Sequence, residues 1–154
     1  MKMQRNVAKP AVTAVLGSLA LCLLLAGGWY ERWKRDHCGI PDVVSSRNVN
    51  GDCFLLVVAN SDGIGDKEKF ARTVVQMCLE NSFRSTILST DLNGYPSRLE
   101  IEVYLKKRDI EAGEPVCRIR FEPPEGSGSG YDIKEDTEEY RLYVDGKEII
   151  FYNT

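Results

Sequence analysis

The chain has 154 residues and a formal net charge of −3, and its composition is that of one ordinary globular domain. All 23 acidic residues lie within residues 31–154, which hold 17 of the 20 Lys and Arg residues and so carry a formal charge of −6. This balance argues against nucleic acid as a partner, because a phosphate-binding surface needs clustered Lys and Arg.

The first feature along the chain is a run of twenty uncharged residues, 11–30, with the sequence AVTAVLGSLALCLLLAGGWY. A helix of this length spans roughly 30 Å, the thickness of the hydrocarbon core of a bilayer. Basic residues precede the run, and Trp29, Tyr30 and Trp33 lie at its far end, where aromatic rings favour the headgroup zone. We predict a transmembrane signal anchor in contact with membrane lipid at 11–30, after a short basic tail at 1–10.

The orientation that we expect places the N-terminus in the cytoplasm and the C-terminal domain on the extracytoplasmic side. A short polar head gives no folded domain to keep outside, and apolar N-terminal segments are the usual export signal. The alternative is secretion after signal-peptide cleavage, because Ala26 and Gly28 have the small side chains and the spacing that signal peptidase requires.

The segment that follows the span, residues 31–52, shows no sustained periodicity and contains Gly, Pro, Ser and Asn, which predicts a juxtamembrane stalk. The folded domain is predicted over 53–154. It begins with CFLLVVA at 53–59, a short apolar run typical of a buried strand. A glycine-containing loop and an amphipathic helix over about 66–81 come next, with Asp62 or Asp66 as the helix cap.

The remaining segments alternate with a period of two, which predicts strands. Residues 85–91 and 98–106 flank Asn93–Gly94, a dipeptide suited to a hairpin turn. Residues 116–122 place Arg118 and Arg120 on the solvent side, opposite Glu100 and Glu102 in a salt-bridge ladder. A last hairpin turns at Asp145–Gly146. The predicted fold is α+β, with a single helix packed on a mostly antiparallel sheet of about five to six strands.

Four cysteines lie outside the span, namely Cys38, Cys53, Cys78 and Cys117. An even number in an exported domain favours disulfides. We expect Cys78 to pair with Cys117, because one lies on the helix face and the other on the sheet face that it covers, which leaves Cys38 for Cys53. The alternative is that some of them are buried small hydrophobic residues.

The loop ANSDGIGDKEK at 59–69 joins a strand to a helix, as phosphate and metal sites often do. Its glycine spacing fits neither a P-loop nor a dinucleotide fingerprint. In the EF-hand register Val58 and Lys69 would have to ligate calcium, which neither can do. The remaining metal hypothesis is a calcium site of another kind at Asn60, Asp62 and Asp66, and no cofactor is predicted.

These patterns favour a membrane-anchored, extracytoplasmic, non-enzymatic binding or envelope-associated module with a protein partner of unknown identity. A nucleophilic triad needs a histidine, and His37 lies in the predicted stalk, far in sequence from the sheet. The alternatives are a small secreted or anchored enzyme that uses a cysteine thiol, and a peptide- or solute-binding domain that uses an exposed sheet edge.

Overall fold

A computed structural model of the chain describes residues 21–32, 38–88, 94–126 and 130–151. The chain divides into two compact units, Met1–Cys38 and Gly39–Thr154. In the first unit, residues 21–32 form helix α1, whose side chains are exposed. Among the helices of the described residues, none combines the length and the apolar character that a bilayer-crossing helix requires. Residues 11–20 of the predicted span lie outside the described residues.

The described part of the second unit contains six strands and one α-helix. They are β1 (Asp42–Val49), β2 (Asp52–Val58), α2 (Lys67–Glu80), β3 (Arg98–Tyr104), β4 (Cys117–Glu122), β5 (Arg141–Val144) and β6 (Lys147–Ile149), with 3-10 turns at Lys107–Ala112 and Thr137–Glu139. The strands lie side by side in chain order. All neighbours are antiparallel except β2 and β3, which are parallel and are joined through α2. The predicted α+β domain with a mostly antiparallel sheet is confirmed.

Helix α2 begins and ends at residues suited to those positions. Asp66 is its N-cap, and its Oδ1 accepts a hydrogen bond from the backbone N–H of Lys69 at 2.9 Å. Asn81 ends the helix in the left-handed conformation, at φ 52°. The buried helix residues form one stripe against the sheet, namely Ala71, Val74, Val75, Cys78 and Leu79. The core therefore lies between α2 and one face of the sheet, where Leu55, Ile101, Ile119 and Leu142 are also buried.

The region between α2 and β3 differs from its predicted structure. Residues 85–88 form no strand, residues 89–93 lie outside the described residues, and the place beside β3 is taken by β2. The Asn81 side chain exchanges two hydrogen bonds with the backbone of Leu88, at 2.7 and 3.0 Å. These bonds satisfy the backbone of Leu88 without a strand partner. The predicted hairpin between 85–91 and 98–106 is therefore wrong for the described residues 85–88.

The predicted stalk also differs from the structure, because Asp42–Val49 within it forms β1, one of the two edge strands of the sheet. Only Val43 of this strand is fully buried, so the strand lacks the apolar alternation that reveals half-buried strands. Its position is fixed by antiparallel pairing with β2 through a turn at Asn50 and Gly51, which have φ values of 54° and 91°. Asn-Gly is the strongest short hairpin signal in a sequence, and here it was the signal for β1.

The remaining strands match their predictions. Glu100 pairs with Arg120 and Glu102 with Arg118 across β3 and β4. Leu142 pairs with Ile149 across the last hairpin, whose turn residues Asp145 and Gly146 have φ values of 49° and 83°. Two positive φ angles define the type I′ turn that two-residue hairpins favour.

The cap of α2 gives a direct test of this fold. The change Asp66→Ala should lower the free energy of unfolding by about 1 kcal/mol, because it removes the acceptor for an N-terminal N–H of the helix. Asp62→Ala is the control, since Asp62 instead pairs with Lys106 on the surface and a pair of this kind is worth about 0 to 1 kcal/mol. Urea denaturation followed by circular dichroism measures both. A larger loss in Asp62→Ala would show that the wrong aspartate has been identified as the cap.

Candidate functional site

The face of the sheet opposite α2 meets solvent, and we call it the open face. Alternation along each strand places one residue in two on this face. Strand pairing aligns these residues into a row that crosses all six strands, which we call the central row. It consists of Arg47, Phe54, Glu100, Arg120, Tyr143 and Glu148, from β1 to β6.

Two further rows flank the central row. The upper row consists of Ser45, Leu56, Glu102 and Arg118. The lower row consists of Val49, Asp52, Arg98, Glu122 and Arg141. Because acidic and basic side chains follow one another within each row, the open face carries both signs of charge in alternation.

Ion pairs join charged side chains on the open face. Glu102 on β3 lies 3.4 Å from Arg118 on β4, and Glu122 on β4 lies 3.6 Å from Arg98 on β3. Glu122 also lies 3.6 Å from Arg120 on its own strand. Arg141 and Glu148 are 3.8 Å apart across the last hairpin. Such partly exposed pairs contribute only about 0 to 1 kcal/mol each to stability. Their main effect is to fix the positions of the charged groups that a partner would meet.

Two aromatic rings on the open face lie under arginine side chains. The guanidinium carbon of Arg47 is 5.3 Å from the ring centroid of Phe54, and that of Arg120 is 5.0 Å from the ring centroid of Tyr143. These are cation–π distances. Arginine and aromatic residues are enriched in protein interfaces and dominate their hot spots. The open face thus has the residue types of a protein-binding surface.

Two shallow grooves run over the open face. One, of about 450 Å³, is lined by residues of β1, β2 and β3, including Arg47, Phe54 and Leu56. The other, of about 500 Å³, is lined by residues of β3, β4 and the last hairpin, including Arg120 and Tyr143. Both have Glu100 and Glu102 in their walls, so β3 is the ridge between them.

The four cysteines predicted to form disulfides are free thiols in the structure. Cys38 is exposed, whereas Cys53, Cys78 and Cys117 are buried in the domain. Burial raises the pKa of all three buried thiols, that of Cys117 to about 11. At neutral pH these side chains are therefore protonated thiols, which are poor nucleophiles. The only histidine in the sequence, His37, lies outside the described residues.

The three residues of the calcium hypothesis are each engaged in other contacts. Asn60 donates from Nδ2 to the carbonyl of Ile40 at 2.9 Å, Asp62 pairs with Lys106, and Asp66 caps α2. The described residues contain no group of three or more His, Cys, Asp or Glu side chains arranged to hold a metal ion. The loop acts structurally as the junction between β2 and α2.

Sequence reasoning identified the Glu and Arg ladder of β3 and β4 but missed the β1 and β2 side of the open face. The sequence pattern puts Arg47 in the predicted stalk and Phe54 and Leu56 in an apolar run typical of a buried strand. The Asn50–Gly51 turn was the signal that could have placed all three, because it brings β1 beside β2.

Asp145 ties the last hairpin to the rest of the domain. Its Oδ2 lies 2.6 Å from Nζ of Lys67 in the first turn of α2, and its Oδ1 accepts from the backbone N–H of Arg118 at 2.9 Å. These two bonds, that with Lys67 foremost, hold the pKa of Asp145 below its ordinary value of 3.8.

Because the pKa of Asp145 is lowered by folding, its charge stabilises the domain above about pH 4, and this contribution is lost as the pH falls below 3.8. Asp145→Asn keeps the left-handed turn and removes the charge. We expect this variant to be less stable than the wild type at pH 7 and to approach it as the pH falls below 3.8. Urea denaturation at a series of pH values measures this. A stability difference that stays constant with pH would contradict the assignment.

Comparisons with known proteins add no assignment. No protein-family model matches the chain, and neither the curated proteins nor the solved structures give a match to it.

Proposed function

We propose that the protein is a single-pass membrane protein whose α+β domain lies on the extracytoplasmic side and binds another protein through its open face. The observation that carries this proposal is the composition of the central row, in which arginines lie over the rings of Phe54 and Tyr143. A row of this kind is suited to recognition rather than to acid–base chemistry. The proposed role is non-enzymatic.

The proposed anchor is the uncharged run at 11–30, with basic residues before it and aromatic residues at its far end. It would contact membrane lipid and hold the domain at the cell membrane, with the N-terminus in the cytoplasm. Secretion after cleavage near Gly28 is the alternative. In an oxidising compartment the disulfide pairs Cys38–Cys53 and Cys78–Cys117 remain part of the proposal.

The alternative of a thiol-dependent enzyme has less support. A nucleophilic cysteine needs an accessible thiol with a lowered pKa. Cys53, Cys78 and Cys117 have the opposite properties, because they are buried and their pKa values are raised. Cys38 is exposed, but no described contact activates its thiol.

The alternative of peptide binding at the sheet edge near the C-terminus has one observation in its favour, which is that β6, like β1, is an edge strand. This strand has only three residues, and Arg72 already donates from Nε to the carbonyl of Ile150 beside it, at 2.9 Å. A peptide strand would compete with that hydrogen bond. The open face offers a larger surface than this edge.

A topology reporter tests the proposed location. Alkaline phosphatase fused after Thr154 should be active, and a fluorescent protein that folds only in the cytoplasm should be dark, because residue 154 would lie outside the membrane. The same fusions to a chain that lacks residues 11–30 provide the control, since this chain should give the reverse pattern. A cytoplasmic signal from the full chain would overturn both the localisation and the disulfide proposal.

Photo-crosslinking tests the proposed binding face. Benzoylphenylalanine in place of Phe54 should form covalent adducts with a protein partner when cells that make the full chain are irradiated. Lys69 is the control position, because it is exposed on α2, which covers the other face of the sheet. The proposed binding role fails if position 54 forms no adducts or if position 69 forms the same ones. Adducts from position 147 in β6 alone would favour the edge-binding alternative.

A further inference from the structure

We infer that the open face binds a second copy of this chain, in a two-fold symmetric dimer whose axis runs parallel to the strands. This inference rests on the proposed function, in which the open face binds protein, and it names the partner. Its basis is the order of charged and aromatic side chains across the sheet, which is complementary to the same order on a second copy.

An axis that runs along the strands, between β3 and β4 and midway between the two copies, lays β3 over β4 of the other copy. It also lays β2 over β5 and β1 over β6, because the six strands lie in chain order. Each residue of a row then faces a residue of the same row at the mirrored strand. Sheets that pack face to face lie about 10 Å apart with their strands roughly aligned, as this arrangement requires.

The central row is self-complementary under this operation. Its order from β1 to β6 is basic, aromatic, acidic, basic, aromatic, acidic. The facing pairs are Arg47 with Glu148, Phe54 with Tyr143, and Glu100 with Arg120. All three pairs join opposite charges or two rings, and each occurs twice in the dimer.

The flanking rows follow the same rule. In the lower row Asp52 faces Arg141, and Arg98 faces Glu122. Val49 faces Ile150, the residue after β6, and these two apolar side chains are 42% and 62% exposed in the single chain. In the upper row Glu102 faces Arg118, and Leu56 is the exception because it faces the Asp145 turn. Isolated exposed apolar residues at both edges of the sheet would thus cover each other.

The charges disfavour one alternative direction of the axis. A two-fold axis that crosses the strands at the level of the central row would lay every residue of that row over its own copy. Arg47, Glu100, Arg120 and Glu148 would then each face an identical charge, which is destabilising. The axis along the strands replaces these four repulsive contacts with attractive ones.

The open face is large enough for a specific contact. The operation lays the groove of about 450 Å³, which is lined by β1, β2 and β3, over β4, β5 and β6 of the other copy. Six strands give a flat area of roughly 500 Å² per copy, from about 4.8 Å between strands and about 3.3 Å per residue. This is the low end of specific interfaces, and anchoring in one membrane would raise the effective concentration of the two copies.

The test uses full chains with two different tags in one cell, only one of which carries benzoylphenylalanine at position 54. Irradiation should give an adduct that holds both tags, at twice the 17.3 kDa of one chain plus the tags. Mass spectrometry should map the attachment to β5 of the second copy, around Tyr143. Attachment within β2 of the second copy would instead indicate the axis across the strands and would overturn the proposed symmetry.

Charge reversal at the two edges gives the decisive variants. R47E alone, or E148R alone in both tagged copies, places like charges in contact twice and should lower the yield of the two-tag adduct at least about tenfold. A cell that makes R47E with one tag and E148R with the other restores both contacts and should restore the adduct. Arg47 and Glu148 are five strand spacings apart, about 24 Å, so they cannot contact each other within one chain. K69E and E80R on α2 are the matched controls and should leave the yield unchanged.

Each result has a defined meaning. The inference fails if position 54 gives adducts only with other proteins, a result that leaves the proposed binding role intact. It also fails, together with that role, if position 54 gives no adducts at all. If the mixed pair R47E and E148R crosslinks no better than either variant alone, the two copies do not meet through these rows. Adduct formation that is the same in every variant would place the contact elsewhere on the chain.

Discussion

The parallel pairing of β2 with β3 is the constraint on which the rest of the domain depends. Two adjacent parallel strands cannot be joined by a tight turn, so the chain must leave the plane of the sheet and return. Helix α2 forms this crossover, and its apolar stripe covers one face. The described residues include no second helix of similar length in this unit, so the open face remains in solvent. The single crossover thus determines both the core and the surface available for binding.

The stability of one chain does not by itself account for the charges on the open face. The face carries five arginines and five acidic residues, namely Arg47, Arg98, Arg118, Arg120, Arg141, Asp52, Glu100, Glu102, Glu122 and Glu148. The formal charge of −6 in residues 31–154 therefore lies elsewhere on the chain. A neutral face with alternating charges is electrostatically complementary to a surface whose charges also alternate.

The local sequence pattern was sufficient to predict strands along which burial alternates strongly. It was insufficient to predict pairing between strands that are distant in the sequence. The sequence of β3 and β4 predicts their pairing because large apolar residues alternate with Glu and Arg on both strands. Strand β1 is not predicted by this pattern, because an edge strand with one buried residue has no periodicity to detect. The parallel pairing of β2 with β3 cannot be predicted in this way either, because α2 separates the two strands in the sequence. The dipeptide Asn93–Gly94 instead suggested for β3 a partner that is nearer in sequence but incorrect. The central row needs all five pairings, so it becomes visible only in the structure.

Within one chain, the charges at the two edges of the sheet do not interact with each other. Arg47 contacts its neighbour Phe54, and Glu148 contacts its neighbour Arg141, but about 24 Å separates the two edges. These local contacts account for each sign separately, since a screened surface charge at that distance has little effect. In the proposed dimer the two edges meet, and the opposite signs at positions 47 and 148 then also attract each other across the interface.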